Sequence, residues 1–231
     1  MDLTVLPDPD AVATEAARRI AVEARASVAA RGRFLVAVSG GRTPWQMLRA
    51  LANESVPWPQ LEVLQVDERI APPGSPERNL THLRESLLSH APLRPEQIHA
   101  MPVESADPDA GAAAYSELLT RLAGDPPVLD LVHLGLGADG HTASLVPGDA
   151  VLGVTDRPVA VCGNYQGRQR CTLTYPMLDR ARRILWVVTG AEKQDALRRL
   201  LLADPAIPAG RVMQDAAVVL ADAAAMGPSV Q

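Results

Sequence analysis

The residues best suited to chemistry are Asp139 and His141, two positions apart in Gly135-Leu136-Gly137-Ala138-Asp139-Gly140-His141-Thr142-Ala143-Ser144-Leu145-Val146-Pro147-Gly148. An imidazole beside a carboxylate can take a proton from water near neutral pH and hand it on to a leaving group. The glycines let the chain turn sharply and bring backbone N–H groups close to a ligand. The stretch follows Leu129-Asp130-Leu131-Val132-His133-Leu134, an apolar run that reads as a buried strand. Open α/β sheets hold their ligands at loops beyond the carboxyl ends of such strands. The competing reading of the same residues is a core-packing turn with a surface histidine.

Three further segments carry polar residues at strand ends. Ser39-Gly40-Gly41-Arg42-Thr43-Pro44 is a glycine loop opening a helix, with Thr43 as N-cap and Pro44 at the first helical position. Unpaired N–H groups and the helix dipole make such a loop an anion site. It has neither Walker-loop spacing nor a GxGxxG fingerprint, and an ordinary strand-to-helix turn would look the same. Asp67-Glu68-Arg69 follows a strand and reads either as a solvated loop or as a carboxylate for substrate hydroxyls beside a cation for developing negative charge. Arg170 precedes a strand, and Lys193 lies in the first turn of a helix after Thr189-Gly190. A lysine there opposes the helix dipole, which favours an anion as its partner. Lys193 is also the only lysine among 22 basic residues. Chance, or a need for a compact charge on a flexible stem, accounts for it equally well. His133 reads as a satisfied core histidine, and His82, His90 and His99 as surface or structural residues with no carboxylate partner nearby in sequence. No metal-ligand spacing occurs among the histidines and cysteines, so no metal site is expected.

Strand and helix signals alternate along the whole chain, which predicts an α/β fold with a mainly parallel sheet. Helices are expected over Asp10 to Ala30, Pro44 to about Ala52, Asn79 to Leu88, Asp109 to Leu122 and Gly190 to Leu202. Strands are expected at Phe34–Val38, Leu61–Val66, Ile98–Met101, Leu129–Leu134, Val159–Cys162, Cys171–Tyr175, Ile184–Val188 and Ala217–Leu220. No repeat, linker or low-complexity tract divides the chain, so residues 1–231 read as a single domain.

The 231 residues are 47% hydrophobic but only 3% aromatic, so the core must be built from Val, Leu, Ile and Ala. A formal net charge of −5 argues against a nucleic-acid partner. No apolar run reaches membrane-span length. Met1-Asp2-Leu3-Thr4 lacks the features of a signal peptide, and Cys162 and Cys171 suit a reducing compartment as small buried residues. A cytoplasmic location is expected.

Taken together, the segments resemble the glucosamine-6-phosphate isomerase/6-phosphogluconolactonase superfamily. The residues that carry the resemblance run from about Phe34 to Lys193 in family order. They are Ser39 to Pro44, Asp67-Glu68-Arg69 with Asn79 following, Gly135 to Leu145 with Pro147-Gly148, Arg170-Cys171-Thr172-Leu173-Thr174, and Thr189-Gly190 with Lys193. The resemblance implies a Rossmann-like fold with helices on both faces, a phosphorylated sugar lactone as the small-molecule substrate, and no cofactor. It implies phosphate binding by Ser39, Gly40, Gly41, Arg42 and Thr43 with Arg170 and Lys193, and a substrate contact from Asn79. His141 is then the general base, with Asp67, Arg69 and Asp139 in the catalytic group. Asp139 either orients His141 or faces the substrate. Two departures stand out. Arg78 occupies a position where Ser is common, and Val146 one where an aromatic residue is frequent. The deaminase branch carries a glutamate five residues after the histidine, where this chain has Val146, so the lactonase branch and its place in the oxidative pentose phosphate pathway are expected. A non-catalytic sugar-phosphate sensor is the alternative, but its DNA-binding output module finds no spare segment here. A monomer or weak homo-oligomer is expected.

Overall fold

The computed structural model describes residues 1–227. In chain order the elements are β1 (Asp2–Leu6), α1 (Pro9–Arg31), β2 (Phe34–Val38), α2 (Arg42–Leu51), β3 (Leu61–Gln65), β4 (Asp67–Arg69), α3 (Asn79–Leu83) and β5 (Ile98–His99). There follow α4 (Pro108–Ala123), β6 (Leu131–Leu134), β7 (Val159–Tyr165), β8 (Arg168–Leu173), α5 (Tyr175–Asp179), β9 (Ile184–Val188), α6 (Gln194–Leu201), β10 (Ala217–Asp222) and α7 (Ala223–Met226). Within the described residues, seven strands form a parallel sheet in the order β1-β10-β9-β6-β2-β3-β5. Every residue of β2, β6 and β9 is buried. Such unbroken apolar runs belong to strands covered on both faces.

Side chains alternate across the sheet. Phe34, Val36 and Val38 pack with Ile20, Met47, Leu48 and Leu83 of the α1–α3 face. Leu35 and Ala37 pack with Tyr115, Leu119 and Leu197 of the α4 and α6 face. Helices therefore cover both faces, as expected. After β2 the chain moves through β3 to β5 on one side, then returns to β6 and continues through β9 and β10 on the other. The crevice between the carboxyl ends of β2 and β6 is thus a topological switch point, the place where such sheets bind ligands.

Several local expectations are corrected. Asp67-Glu68-Arg69 is not a loop. It is β4, the edge of a separate three-stranded antiparallel sheet in the order β4-β8-β7. Arg170 lies within β8 rather than before it. Thr43 is not the N-cap of α2. Gly41 holds that position at φ 129°, with no side-chain cap, and Thr43 sits inside the first turn. The positive φ explains why glycine is needed there. The helix expected over Asn79 to Leu88 changes to a π-turn at Arg84–Leu88. Lys193 closes a 3-10 turn, Ala191–Lys193, and caps α6 instead of lying within a continuous helix. Strand β1 was not expected. It is a short edge strand with Leu3 and Val5 exposed, so it lacks the buried-strand pattern.

Candidate active site

The carboxyl ends of β2, β6 and β9 and the start of α2 surround a cavity of about 720 Å³. Ser39, Gly40, Gly41, Arg42, Thr43, Asp67, Arg69, Asn79, His141, Arg170 and Lys193 all line it. Asp139 alone among the expected site residues does not. It stands behind His141 instead. Its Oδ1 accepts the imidazole Nδ1–H at 2.6 Å and the His141 backbone N–H at 3.1 Å. An ionised carboxylate can only accept, so the proton is on Nδ1 and Nε2 is left as the basic atom. Asp139 thus faces the imidazole and not the cavity. Burial works to raise the Asp139 carboxyl. The hydrogen bonds and charge of His141, with a bond from Tyr165, outweigh that and hold it below its ordinary range. Gly137 makes room for the pair, because a Cβ there would sit 2.6 Å from Asp139 Oδ1 and collide with the imidazole.

The small antiparallel sheet supplies the opposite wall. Along β4 the side chains alternate, so Asp67 and Arg69 face the cavity and Glu68 points away. Asp67 is buried and bonded through Oδ2 to the Ser144 hydroxyl at 2.7 Å and through Oδ1 to the Asn79 amide at 3.2 Å. Arg69 donates to Asn79 Oδ1 and to the Glu77 carbonyl. Glu68, fully buried, accepts the backbone N–H groups of Arg69, Asn79 and Leu80 and the Gln65 amide. It pins the whole corner. Arg78 is buried against Glu68 at 3.6 Å and Glu104 at 2.5 Å. It places a cation beside the buried Glu68 and does not line the cavity.

Two groups of cations face the same space. The β4–β8 register places Arg69 opposite Arg170. Arg170 is 4% exposed and its Nε has no hydrogen-bond partner within the described residues. Burial, then the charge of Arg69, pulls its guanidinium below its ordinary range. On the other side Thr43 Oγ1 meets Thr189 Oγ1 at 2.6 Å, which ties the first turn of α2 to the loop that carries Lys193. The uncapped first N–H groups of α2 open onto the cavity between these cations. That combination favours a multiply charged anion. A Cβ at Gly40 would run into the Asn79 amide, so the glycine loop is also set by the opposite wall.

The chain matches the family described as glucosamine-6-phosphate isomerases/6-phosphogluconolactonase over residues 7–220. It belongs to that family. It is 41% identical over 185 residues to a 6-phosphogluconolactonase of Synechocystis sp., covering 78% of this chain and 77% of that one. It is 37% identical over 200 residues to a 6-phosphogluconolactonase of Nostoc sp., covering 85% of this chain and 83% of that one. The crystal structure of 6-phosphogluconolactonase from Thermotoga maritima superposes with a TM-score of 0.85 at 26% identity, covering 96% of this chain and 98% of that one. That structure carries the fold expected from the sequence.

The other expectations read from the sequence have mixed outcomes in the geometry. His133 is fully buried, with Nδ1 accepting the Ser39 N–H at 3.2 Å, but its Nε2 has no partner within the described residues, so it is only half satisfied. His82 and His99 do have carboxylate neighbours, Glu85 at 3.4 Å and Glu62 at 2.7 Å. Neither lines the cavity. Burial pushes the Cys162 and Cys171 thiols up, and neither lines the cavity, so neither serves as a nucleophile there. Among the described residues no three His, Cys, Asp or Glu side chains gather as a metal-ligand set. No helix there is long and apolar enough to cross a membrane. Residues missed by sequence reasoning are Ser144, Thr189 as a partner of Thr43, and Tyr165, whose hydroxyl donates to Asp139 Oδ2 at 3.1 Å. Tyr165 precedes the Gln166-Gly167 turn, but nothing local in the sequence says that this hairpin returns to the Asp139 loop.

Proposed function

We propose that the chain hydrolyses 6-phospho-D-glucono-1,5-lactone to 6-phospho-D-gluconate, the lactone-opening step of the oxidative pentose phosphate pathway. The observation that carries this reading is the Asp139–His141 pair at 2.6 Å, on the rim of a cavity with a cationic anion site. The 6-phosphate lies at the Ser39–Thr43 loop, held by the α2 N-terminus, Arg170 and Lys193. His141 Nε2 takes a proton from water, and the hydroxide adds to the lactone C1. Arg69, or a loop N–H, meets the tetrahedral oxyanion. Asp139 stabilises the imidazolium while it exists. Collapse breaks the bond to the ring oxygen, which takes the proton back from His141, and the new acid ionises. Asp67 and Asn79, locked to each other, meet the sugar hydroxyls. No step calls for a metal or cofactor.

The deaminase reaction needs a further proton relay to open the sugar ring. Val146 is buried, lies outside the cavity lining and carries no proton. The free, buried Cys162 and Cys171 suit a reducing cytoplasm. The test is to offer both family substrates to purified protein. Decay of the phosphorylated lactone should exceed the buffer rate, and glucosamine 6-phosphate should yield no ammonia. Robust ammonia release with no effect on the lactone would overturn the reading.

A further inference from the structure

One residue touches both halves of the site. Tyr165 ends β7 just before Gln166 and Gly167, whose φ values of 53° and 83° give the two positive positions of a tight hairpin turn. A register irregularity between Cys162 and Tyr165 re-aims the end of the strand. The Tyr165 hydroxyl donates to Asp139 Oδ2 at 3.1 Å, the oxygen not used by His141 Nδ1, and lies 3.5 Å from that nitrogen. Its ring meets the His141 imidazole edge-on, at 5.4 Å and 63°. The Arg170 guanidinium lies over the same ring, 4.9 Å from its centroid, and Arg170 Nη2 is 3.5 Å from the Tyr165 carbonyl.

We propose that Tyr165 is a positioning residue of this site: its hydroxyl fixes the Asp139 carboxylate against His141, and its ring seats the Arg170 guanidinium. The proposal rests on the lactonase reading for its kinetic consequence. Without Tyr165 the half-exposed Asp139 carboxylate is held through Oδ1 alone, by the His141 imidazole and backbone N–H, and Oδ2 can rotate about that end. A second donor on the other oxygen removes that rotation. It also shares the charge of the carboxylate that faces the imidazole. The charged groups around the cluster are Asp139 on the β6 loop, Arg170 on β8 beside the ring, and Arg69 and Asp67 on β4 next to Arg170. Burial, then the Asp139 hydrogen bond and charge, raises the Tyr165 hydroxyl above its ordinary range, so it stays a donor throughout the working range.

Tyr165→Phe separates the two roles, because the ring remains and the hydroxyl goes. On the phosphorylated lactone kcat should fall about tenfold, the low end for a hydrogen bond to a charged group, with KM little changed. In an Asp139→Asn background the same substitution should add almost nothing, since the carboxylate it acts through is gone. Tyr165→Leu removes the ring as well and should raise KM in addition. The His141 imidazole, followed by NMR titration of the unliganded protein, gives a readout that needs no turnover. Its midpoint should rise in Tyr165→Phe, because the carboxylate becomes the stronger partner of the imidazolium. A wild-type protein with no lactonase activity would overturn the functional reading while leaving this titration to judge Tyr165. A midpoint that stays or falls, or equal kcat losses with and without Asp139, would overturn the positioning role.

Discussion

Gly137→Ala is the sharpest perturbation that leaves every named polar group in place. The Gly137 backbone holds the loop closed, with its N–H on the His141 carbonyl at 2.8 Å. Its φ is not positive, so alanine meets no backbone penalty there. The added methyl group falls inside contact distance of His141 Nδ1 and Cε1 and 2.6 Å from Asp139 Oδ1. Three ångströms is already tight for a Cβ, so the imidazole must swing out toward solvent. His141 has the freedom to do so, as its side chain is 25% exposed. The stability loss should therefore stay near the ~1 kcal/mol low end of overpacking changes. The catalytic loss is larger. Breaking the Nδ1–Oδ1 bond removes a charge-assisted contact worth ~1.5–3 kcal/mol, discounted toward the lower figure by the partial exposure of both groups. That is about tenfold. Misplacing the base by about an ångström adds roughly 10²-fold. The expected fall in kcat is about 10³-fold, with the affinity for 6-phosphogluconate within about threefold of wild type, because the phosphate loop is untouched. Stopped-flow lactone decay and calorimetric binding read the two quantities. A Gly137→Ala enzyme with kcat within a small factor of wild type, and a normal melting profile, would refute the idea that the Asp139–His141 geometry drives turnover.

Other consequences follow from the same structure. Arg170→Ala and Lys193→Ala should each reduce kcat/KM on the phosphorylated lactone by about 10- to 100-fold, from the loss of one charge-assisted contact, and much less on unphosphorylated gluconolactone. Equal losses on both substrates would show that neither cation reads the phosphate. Lys193→Arg should rescue only in part if a point charge is what the site needs, and full activity would assign the lone lysine to chance. The buried His133 is pushed down to about 3 by desolvation. Its folded-state pKa thus lies below the unfolded value of about 6.5, the unfolded chain binds more protons, and stability falls as pH drops from about 6.5 toward 3. Between pH 7.5 and 5.5 this one group should remove on the order of 1 kcal/mol. Urea titrations at both pH values should show that loss shrinking in His133→Gln, and an unchanged pH dependence would rule out His133 as its source.

Much of this site is legible in the sequence because its parts are local. The glycine loop after β2, the Asp139–His141 loop after β6 and the Thr189–Gly190 loop after β9 each follow a fully buried apolar strand, and parallel-sheet topology brings such strand ends to one edge. The Asp67–Arg69 segment was harder. Its three charges look like a solvated loop, and only pairing with β8, a hundred residues away, makes it a strand with alternate faces. The place of Arg170 is hidden for the same reason, since the hairpin β7–β8 belongs to the small sheet. Glu68 gives no sequence sign of its role, because four of its partners come from Gln65, Arg69, Asn79 and Leu80 once that corner has folded. By residue type Thr43 reads as an N-cap. The positive φ of Gly41 moves the helix start two residues earlier, and frees the threonine hydroxyl to pair with Thr189.

The central claim is that this chain opens a phosphorylated lactone with His141 as the base. The direct measurement is a pH-stat or polarimetric decay of freshly made 6-phosphoglucono-1,5-lactone at neutral pH, with buffer, wild type and His141→Ala compared at equal protein concentration. Wild type should decay the lactone far above the spontaneous rate, and His141→Ala should lose ~10²–10⁴-fold of that acceleration while still binding 6-phosphogluconate. Wild-type decay at the buffer rate, or a His141→Ala variant as fast as wild type, would contradict the account.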